Sequence, residues 1–372
     1  MHVSFYLPTS PQHPEANRIA FEDLAKAAVS QLREAGVSKR EIECFERQVA
    51  GLSGRVQESL DDNKYRLKDG NPLESIEKFL KSQAHGLGVL ARPETQSLHT
   101  YRLPITPKLL VEVADRYHMS PLIRTVTSPL EIFVLAISED GTRLLDVVVN
   151  MSPARVPVPH LAEDPADTLH RPSLHVRAPR GRLQNLEGEK VLEEQYARKV
   201  DHAVREALAG RSTAMVLAAT EPMATIFRKV STYPHLVEEV IEGSPDHRND
   251  AQLGDAALPI LDRLYRKEAK GIVALYDELK PYRATSDVSH AAHAATAGAV
   301  DRLVVDLDQV IPGLVSDIDG SVSYGASDNA QTYSVLDEVA RRALSTDARV
   351  LCVTQEVLPP GAALAATLRY AF

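Results

Sequence analysis

The sequence predicts an α/β protein of three domains, and three observations carry that expectation. Residues 298–370 read as a helix end, a buried strand, an amphipathic helix, a second buried strand and a closing segment. That alternation builds a compact α/β layer structure. Residues 130–241 give three strands, a helix, a strand and a further helix, with 236–241 as an additional strand or helical turn. The length of 372 residues, 44% hydrophobic and 25% charged, is that of an ordinary globular protein with room for two or three cores. The clearest boundary is Gly243-Ser-Pro-Asp246. The expected domains are 1–125, an N-terminal α/β domain; 126–245, the middle domain; and 246–372, an α/β/α C-terminal domain.

In the first domain, residues 3–7 form a short strand ended by Pro8, and Pro11 and Pro14 keep the next loop extended. Residues 16–35 have helix-forming composition, with Ile19, Leu24, Ala27, Ala28 and Leu32 on one side and Gly36 as the stop. Ser38 and Glu41 stand at capping-box spacing before a second helix carrying Ile42, Phe45 and Val49. A third helix is expected over 73–82, and strands over 87–90 and 97–103 with a turn at Pro93 and Glu94.

The middle domain opens with a hairpin, 130–138 and 142–149. Residues 151–173 are rich in Pro, His and Asp and read as a long surface loop, with a third strand at 174–177. A helix over 188–209 buries Val191, Tyr196, Val200, Ala203, Val204 and Leu208 and ends at Gly210. The apolar run 214–220 predicts a strand covered on both faces. The order of these elements is RNase H-like. Residues 251–279 form a long helix leading to the last domain.

Composition bounds the partners. A net charge of −9 does not drive unaided binding to a polyanion, so nucleic-acid contact requires a local basic patch. The two cysteines, Cys44 and Cys352, make neither a disulfide framework nor a zinc spacing, and Cys352 sits in an apolar run as a core residue. The opening residues lack a signal-peptide pattern, and no apolar stretch approaches membrane-spanning length. The expected setting is the cytoplasm, without membrane contact and without a cofactor.

Three segments resemble one family. The C-terminal stretch has a helix ending in Gly298-Ala-Val300 before a strand, and a Gly361 turn closing on Leu368-Arg-Tyr370. The N-terminus reads Val3-Ser-Phe-Tyr-Leu-Pro-Thr9, and residues 115–124 read Asp-Arg-Tyr-His-Met-Ser-Pro-Leu-Ile-Arg. This wording resembles the archaeo-eukaryotic class-one peptide-chain release factors and Pelota, in particular their bacterial homologues. The resemblance implies an RNase H-like middle domain, a release-factor-type C-terminal domain and the ribosome or tRNA as partner, in rescue, termination or translational control.

In that family a Gly-Gly-Gln loop precedes the long middle-domain helix. Glycine lets the backbone approach the peptidyl-tRNA ester, and the Gln orients the attack. The corresponding stretch here, 177–186, contains Gly181 and Gln184 but has Leu183 before the Gln. A leucine there disfavours glycine-only backbone conformations, which argues against family-type peptidyl-tRNA hydrolysis. Whether the protein is an enzyme stays open, and no catalytic residue is assigned.

The same stretch carries charge. Arg171, Arg177, Arg180 and Arg182 are uninterrupted by Asp or Glu up to Asn185. Guanidinium groups suit phosphate because their paired donors match its oxygens. These arginines and Gln184 are the RNA-contact candidates, against the plainer reading of a solvated loop paired with surface carboxylates. A protein-interaction module without catalysis is the alternative function.

A metal-dependent hydrolase is the third reading. Asp306-Leu-Asp308 after a strand, with Val310 following, is reminiscent of aspartyl phosphatases, yet too little chain follows for their other motifs. Asp317-Ile-Asp-Gly320 with Asp328 departs from a calcium loop and reads as an Asx turn. His160, His170 and His175 with Asp164 and Asp167 match no zinc pattern, and His290 and His293 share a helix face without a third ligand. Glu131 and Asp146 are strand carboxylates, but the later apolar strand adds no acid, which disfavours a two-metal nuclease. No metal site is expected.

Overall fold

The computed structural model describes residues 1–10, 13–52, 85–138, 141–159, 161, 184–325 and 332–372. The predicted α/β class is what is found. Two compact units form, Met1–Ser128 with Arg266–Phe372, and Pro129–Tyr265.

In the first unit the N-terminal segment builds β1 (His2–Pro8), α1 (Pro14–Glu34), α2 (Lys39–Leu52), β2 (Gly86–Arg92), β3 (Ser97–Leu103), β4 (Leu110–Ala114) and α3 (Ser120–Thr127). The antiparallel sheet has the order β3-β2-β1-β4. The strand alternation sends Val3, Phe5, Leu7, Leu87, Val89, Ala91 and Val113 to the helix side, where they bury Phe21, Leu24, Ala28, Leu32 and Phe45. Ile19 is not part of that stripe. It is 50% exposed, because the buried row runs through Phe21, Leu24, Ala28 and Leu32 and residue 19 falls off it. The capping box is made as expected: the Glu41 carboxylate accepts from the Ser38 amide at 3.1 Å, and the Glu41 amide donates to Ser38 Oγ at 3.4 Å. The helix expected over 73–82 lies outside the described residues.

The second unit holds β5 (Glu131–Ile137), β6 (Thr142–Val148), β7 (Ala154–Val156), α4 (Gln184–Ala207), β8 (Met215–Ala218), α5 (Met223–Val230) and β9 (Leu236–Ile241). It closes with the first part of α6 (Asp250–Leu279). The sheet order is β7-β6-β5-β8-β9, with β5, β8 and β9 parallel. β8 is covered on both faces as its apolar run predicts: Met215 and Leu217 face α4 and α5, while Val216 and Ala218 face α6. Two expectations change here. The stretch read as loop contains β7, which pairs with β6, and Val191 is 53% exposed. The buried row of α4 runs through Tyr196, Val200, Val204 and Leu208, and residue 191 lies off it. Gly210 ends the helix at φ +78°, a left-handed conformation that only glycine adopts without strain. The strand expected at 174–177 lies outside the described residues.

The rest of the first unit consists of β10 (Ala284–Thr285), α7 (Val288–Thr296), β11 (Val300–Val305), β12 (Pro312–Val315), β13 (Val322–Tyr324), β14 (Tyr333–Ser334), α8 (Val335–Ser345), β15 (Arg349–Cys352) and β16 (Leu364–Leu368). The sheet order is β10-β16-β11-β15, with β11 and β15 parallel. The helices α7 and α8 bury an alanine- and valine-rich core against it that also takes in Ala114 and Ile123. The polar insert after β11 folds as a small sheet in the order β13-β12-β14. No helix among the described residues is long and apolar enough to cross a membrane.

Candidate functional site

Arg171, Arg177, Arg180 and Arg182 lie outside the described residues. Gln184 is placed as the first residue of α4. From Tyr196 onward helix α4 is anchored against the sheet through its buried row. The described arginines of this unit are mostly matched to acids: Arg155 and Arg143 to Asp250, Arg198 to Glu194, Arg211 to Glu131 and Arg263 to Glu239. Asp250 is held below the usual carboxylate range by the Arg155 hydrogen bond, against the upward push of burial. That matching throws the acid-free stretch 171–185 into relief.

The 115–124 segment has a geometry that sequence reading missed. Met119 precedes α3 and offers no side-chain cap, and Asp337 of α8 supplies one: its Oδ2 accepts from the amides of Met119 and Ser120 at 3.1 and 3.0 Å. The Ser120 hydroxyl donates to the other oxygen. His118 is fixed on both sides. Its amide donates to Ser4 Oγ at 2.9 Å and its carbonyl accepts from the Tyr6 hydroxyl at 2.6 Å. Its Nδ1 lies 3.1 Å from Glu112 and 3.5 Å from Asp337. Burial pushes the imidazole pKa down, but the two carboxylates outweigh burial and raise it.

Arg116 stacks over the Tyr333 ring at 5.5 Å and reaches Asp317 and Glu338. Glu338 and Arg342 are themselves buried, and Arg342 donates to Glu338, Thr296, Asp317 and the carbonyls of Val315 and Ser316. Burial pushes Glu338 up, yet the guanidinium groups of Arg341 and Arg342 bring its carboxyl below the usual range. This is a closed network in which nearly every charge is spent on structure. It can hold the first and last segments of the chain together.

Residues 129–267 match the model of bacterial archaeo-eukaryotic release factor family 11. Over those residues the chain is similar to that family. Among solved structures, that of the archaeal translation termination factor aRF1 aligns at 14% identity over 99% of this chain and 92% of that one, with a TM-score of 0.22. Dom34 of S. cerevisiae, a translation termination-like factor, aligns at 11% identity over 77% and 80%, with a TM-score of 0.40. The Pelota protein of Thermoplasma acidophilum aligns at 11% identity over 77% and 80%, with a TM-score of 0.23. Identities and TM-scores this low carry no argument beyond the similarity over 129–267. None of the curated proteins matches the chain.

The other sequence motifs resolve into structural roles. Asp306 binds its own turn, accepting from the Asp308 amide at 3.0 Å and from Gln309 at 3.2 Å. Asp308 is paired with Lys108 and Arg124, so neither acid stands as a nucleophile. Asp319 accepts from the Ser321 amide at 3.1 Å, the Asx turn that was expected, and the Ser316 and Ser321 hydrogen bonds bring its pKa down to about 2. His290 and His293 each bind a backbone carbonyl, of Phe372 and Asp319. Glu131 is taken by Arg211 and Thr213, and burial raises Asp146. Among the described residues no group of His, Cys, Asp and Glu is placed to hold a metal ion. His160, His170, His175, Asp164, Asp167 and Asp328 lie outside them. Cys352 is buried beside the Thr127 hydroxyl at 3.3 Å, and desolvation pushes its thiol up to about 11, the behaviour of a core cysteine.

Proposed function

We propose that the protein acts on translation by associating with the ribosome or tRNA in the cytoplasm, using the arginines of the 171–185 stretch as its RNA contact. The observation that carries this reading is the family match over 129–267, which contains that acid-free stretch at the entry to α4. Arg171, Arg177, Arg180 and Arg182 would pair with backbone phosphates, whose oxygens match a guanidinium fork. Gln184 would act by position only, since a neutral amide is no general base at neutral pH. With Leu183 before it and no adjacent glycines anywhere in the chain, family-type peptidyl-tRNA hydrolysis is not part of the proposal.

The test is co-sedimentation with ribosomes. The Arg180→Ala/Arg182→Ala double variant should be lost from the ribosomal pellet while remaining folded. Retention at the level of the unaltered protein would sink the loop contact. The net charge of −9 favours a second reading, a non-catalytic module that docks on a protein. That reading expects binding to persist in the variant and after nuclease digestion of the RNA.

A further inference from the structure

The crevice at the carboxyl ends of β11 and β15 takes no part in the proposed RNA contact. The two strands run parallel in register, Val305 beside Cys352, and the chain leaves them into the same opening. Its lining includes the apolar side chains of Leu307, Val310 and Cys352 and the charged groups of Lys108, Arg124 and Asp308. The opening measures about 480 Å³, within the size range of small-molecule sites. In open α/β sheets, ligands bind in just this place, outside the carboxyl ends of parallel strands.

The charges of the lining do not balance. Lys108 Nζ lies 2.8 Å from Asp308 Oδ1 and Arg124 Nη2 lies 2.9 Å from Oδ2, so two cations share one carboxylate. The Arg124 contact also lacks hydrogen-bond alignment: Nη2 is buried with no hydrogen-bond partner. The neighbouring acid, Asp306, is turned onto its own turn and does not line the opening. His118 also lines the opening but is matched by Glu112 and Asp337, so one positive charge is left over beside the apolar side chains.

We propose that this crevice binds a small amphiphilic monoanion. Its acidic group, a carboxylate or sulfonate, sits between Lys108 and Arg124, and its apolar body lies against Leu307, Val310 and Cys352. A single anion neutralises the surplus charge and supplies the acceptor that Arg124 Nη2 lacks.

Titration of the full chain with 8-anilinonaphthalene-1-sulfonate, a monoanion on an aromatic body, tests this by fluorescence. Saturable single-site binding is expected, with the uncharged N-phenyl-1-naphthylamine at least about tenfold weaker. Lys108→Glu and Val310→Asp change exposed side chains and should each weaken the sulfonate by about tenfold or more. Asp308→Asn removes the competing carboxylate and should tighten it, a direction that structural damage would not produce. Circular dichroism checks that each variant is folded. The proposal is overturned if the sulfonate does not saturate, if the neutral naphthylamine binds as well, or if folded variants bind like the unaltered chain.

Discussion

The carboxylate of Asp337 caps a helix that begins 217 positions earlier, accepting from the Ser120 amide at 3.0 Å. Both residues are buried, so no water stands ready to replace the bond. The same carboxylate takes the Ser120 hydroxyl and the Met119 amide and faces the His118 ring. A single side chain therefore satisfies the start of α3 and ties it to α8.

Removing that carboxylate should be costly. Asp337→Ala leaves two amides and a hydroxyl unpaired in the interior, and a loss of about 2–4 kcal/mol is expected. Asp337→Asn keeps an acceptor oxygen for the amides and should cost less. Urea unfolding followed by circular dichroism gives the ranking. Equal losses in the two variants would mean that the negative charge, and not the cap, carries the stability.

His118 sets a pH dependence whose sign follows from its partners. The carboxylates of Glu112 and Asp337 overcome burial and raise its pKa above the ordinary 6.5. The folded chain thus holds the proton more tightly than the unfolded chain does. The stabilisation is fully present below about 6.5 and is lost as pH rises through the raised value of the folded state. Unfolding midpoints measured from pH 6 upward should fall by an amount absent in His118→Gln. A variant with the same pH profile as the unaltered chain would show that the imidazole is not the group responsible.

What the sequence revealed was local. The capping box at Ser38 and Glu41 is an i, i+3 pair and was legible, as were the buried run of β8 and the glycine that ends α4. The clasp between the 115–124 segment and α8 was not. Asp337 reads in sequence as an ordinary acid in the first turn of a helix, and nothing local points to Ser120. The strands β12 and β13 were hidden because Pro312, Gly313 and Gly320 interrupt any alternation, and their partners are set by the sheet. The proposed contact rests on the charge and chain order of residues 171–185, and its arginines lie outside the described residues.

Gly320 should tolerate no side chain. Its φ is +79°, and a Cβ there would meet Thr296 Oγ1 at 2.5 Å and the Ala292 carbonyl at 2.7 Å. Strain and overlap together put the expected loss for Gly320→Ala at about 2–4 kcal/mol. Asparagine accepts a left-handed backbone more readily, but it carries the same Cβ. If overlap dominates, calorimetric melting temperatures of the Ala and Asn variants should fall together. A clear recovery with Asn would assign the cost to the backbone conformation.

The RNA contact should show itself in salt before it shows in affinity. A site that neutralises phosphates with arginines releases counterions, so its binding weakens linearly on a logarithmic plot against salt. Removing one phosphate-contacting arginine should lower that slope by roughly 0.7–1. Arg180→Ala and Arg182→Ala, measured singly with tRNA or ribosomes over a salt series, should each flatten the slope, and the double variant should flatten it by the sum. The elsewhere acidic chain sharpens the test, because a net charge of −9 gives no general attraction to mask the loss of two cations. A slope that is shallow in the unaltered protein and unmoved in the variants would instead favour the protein-docking reading.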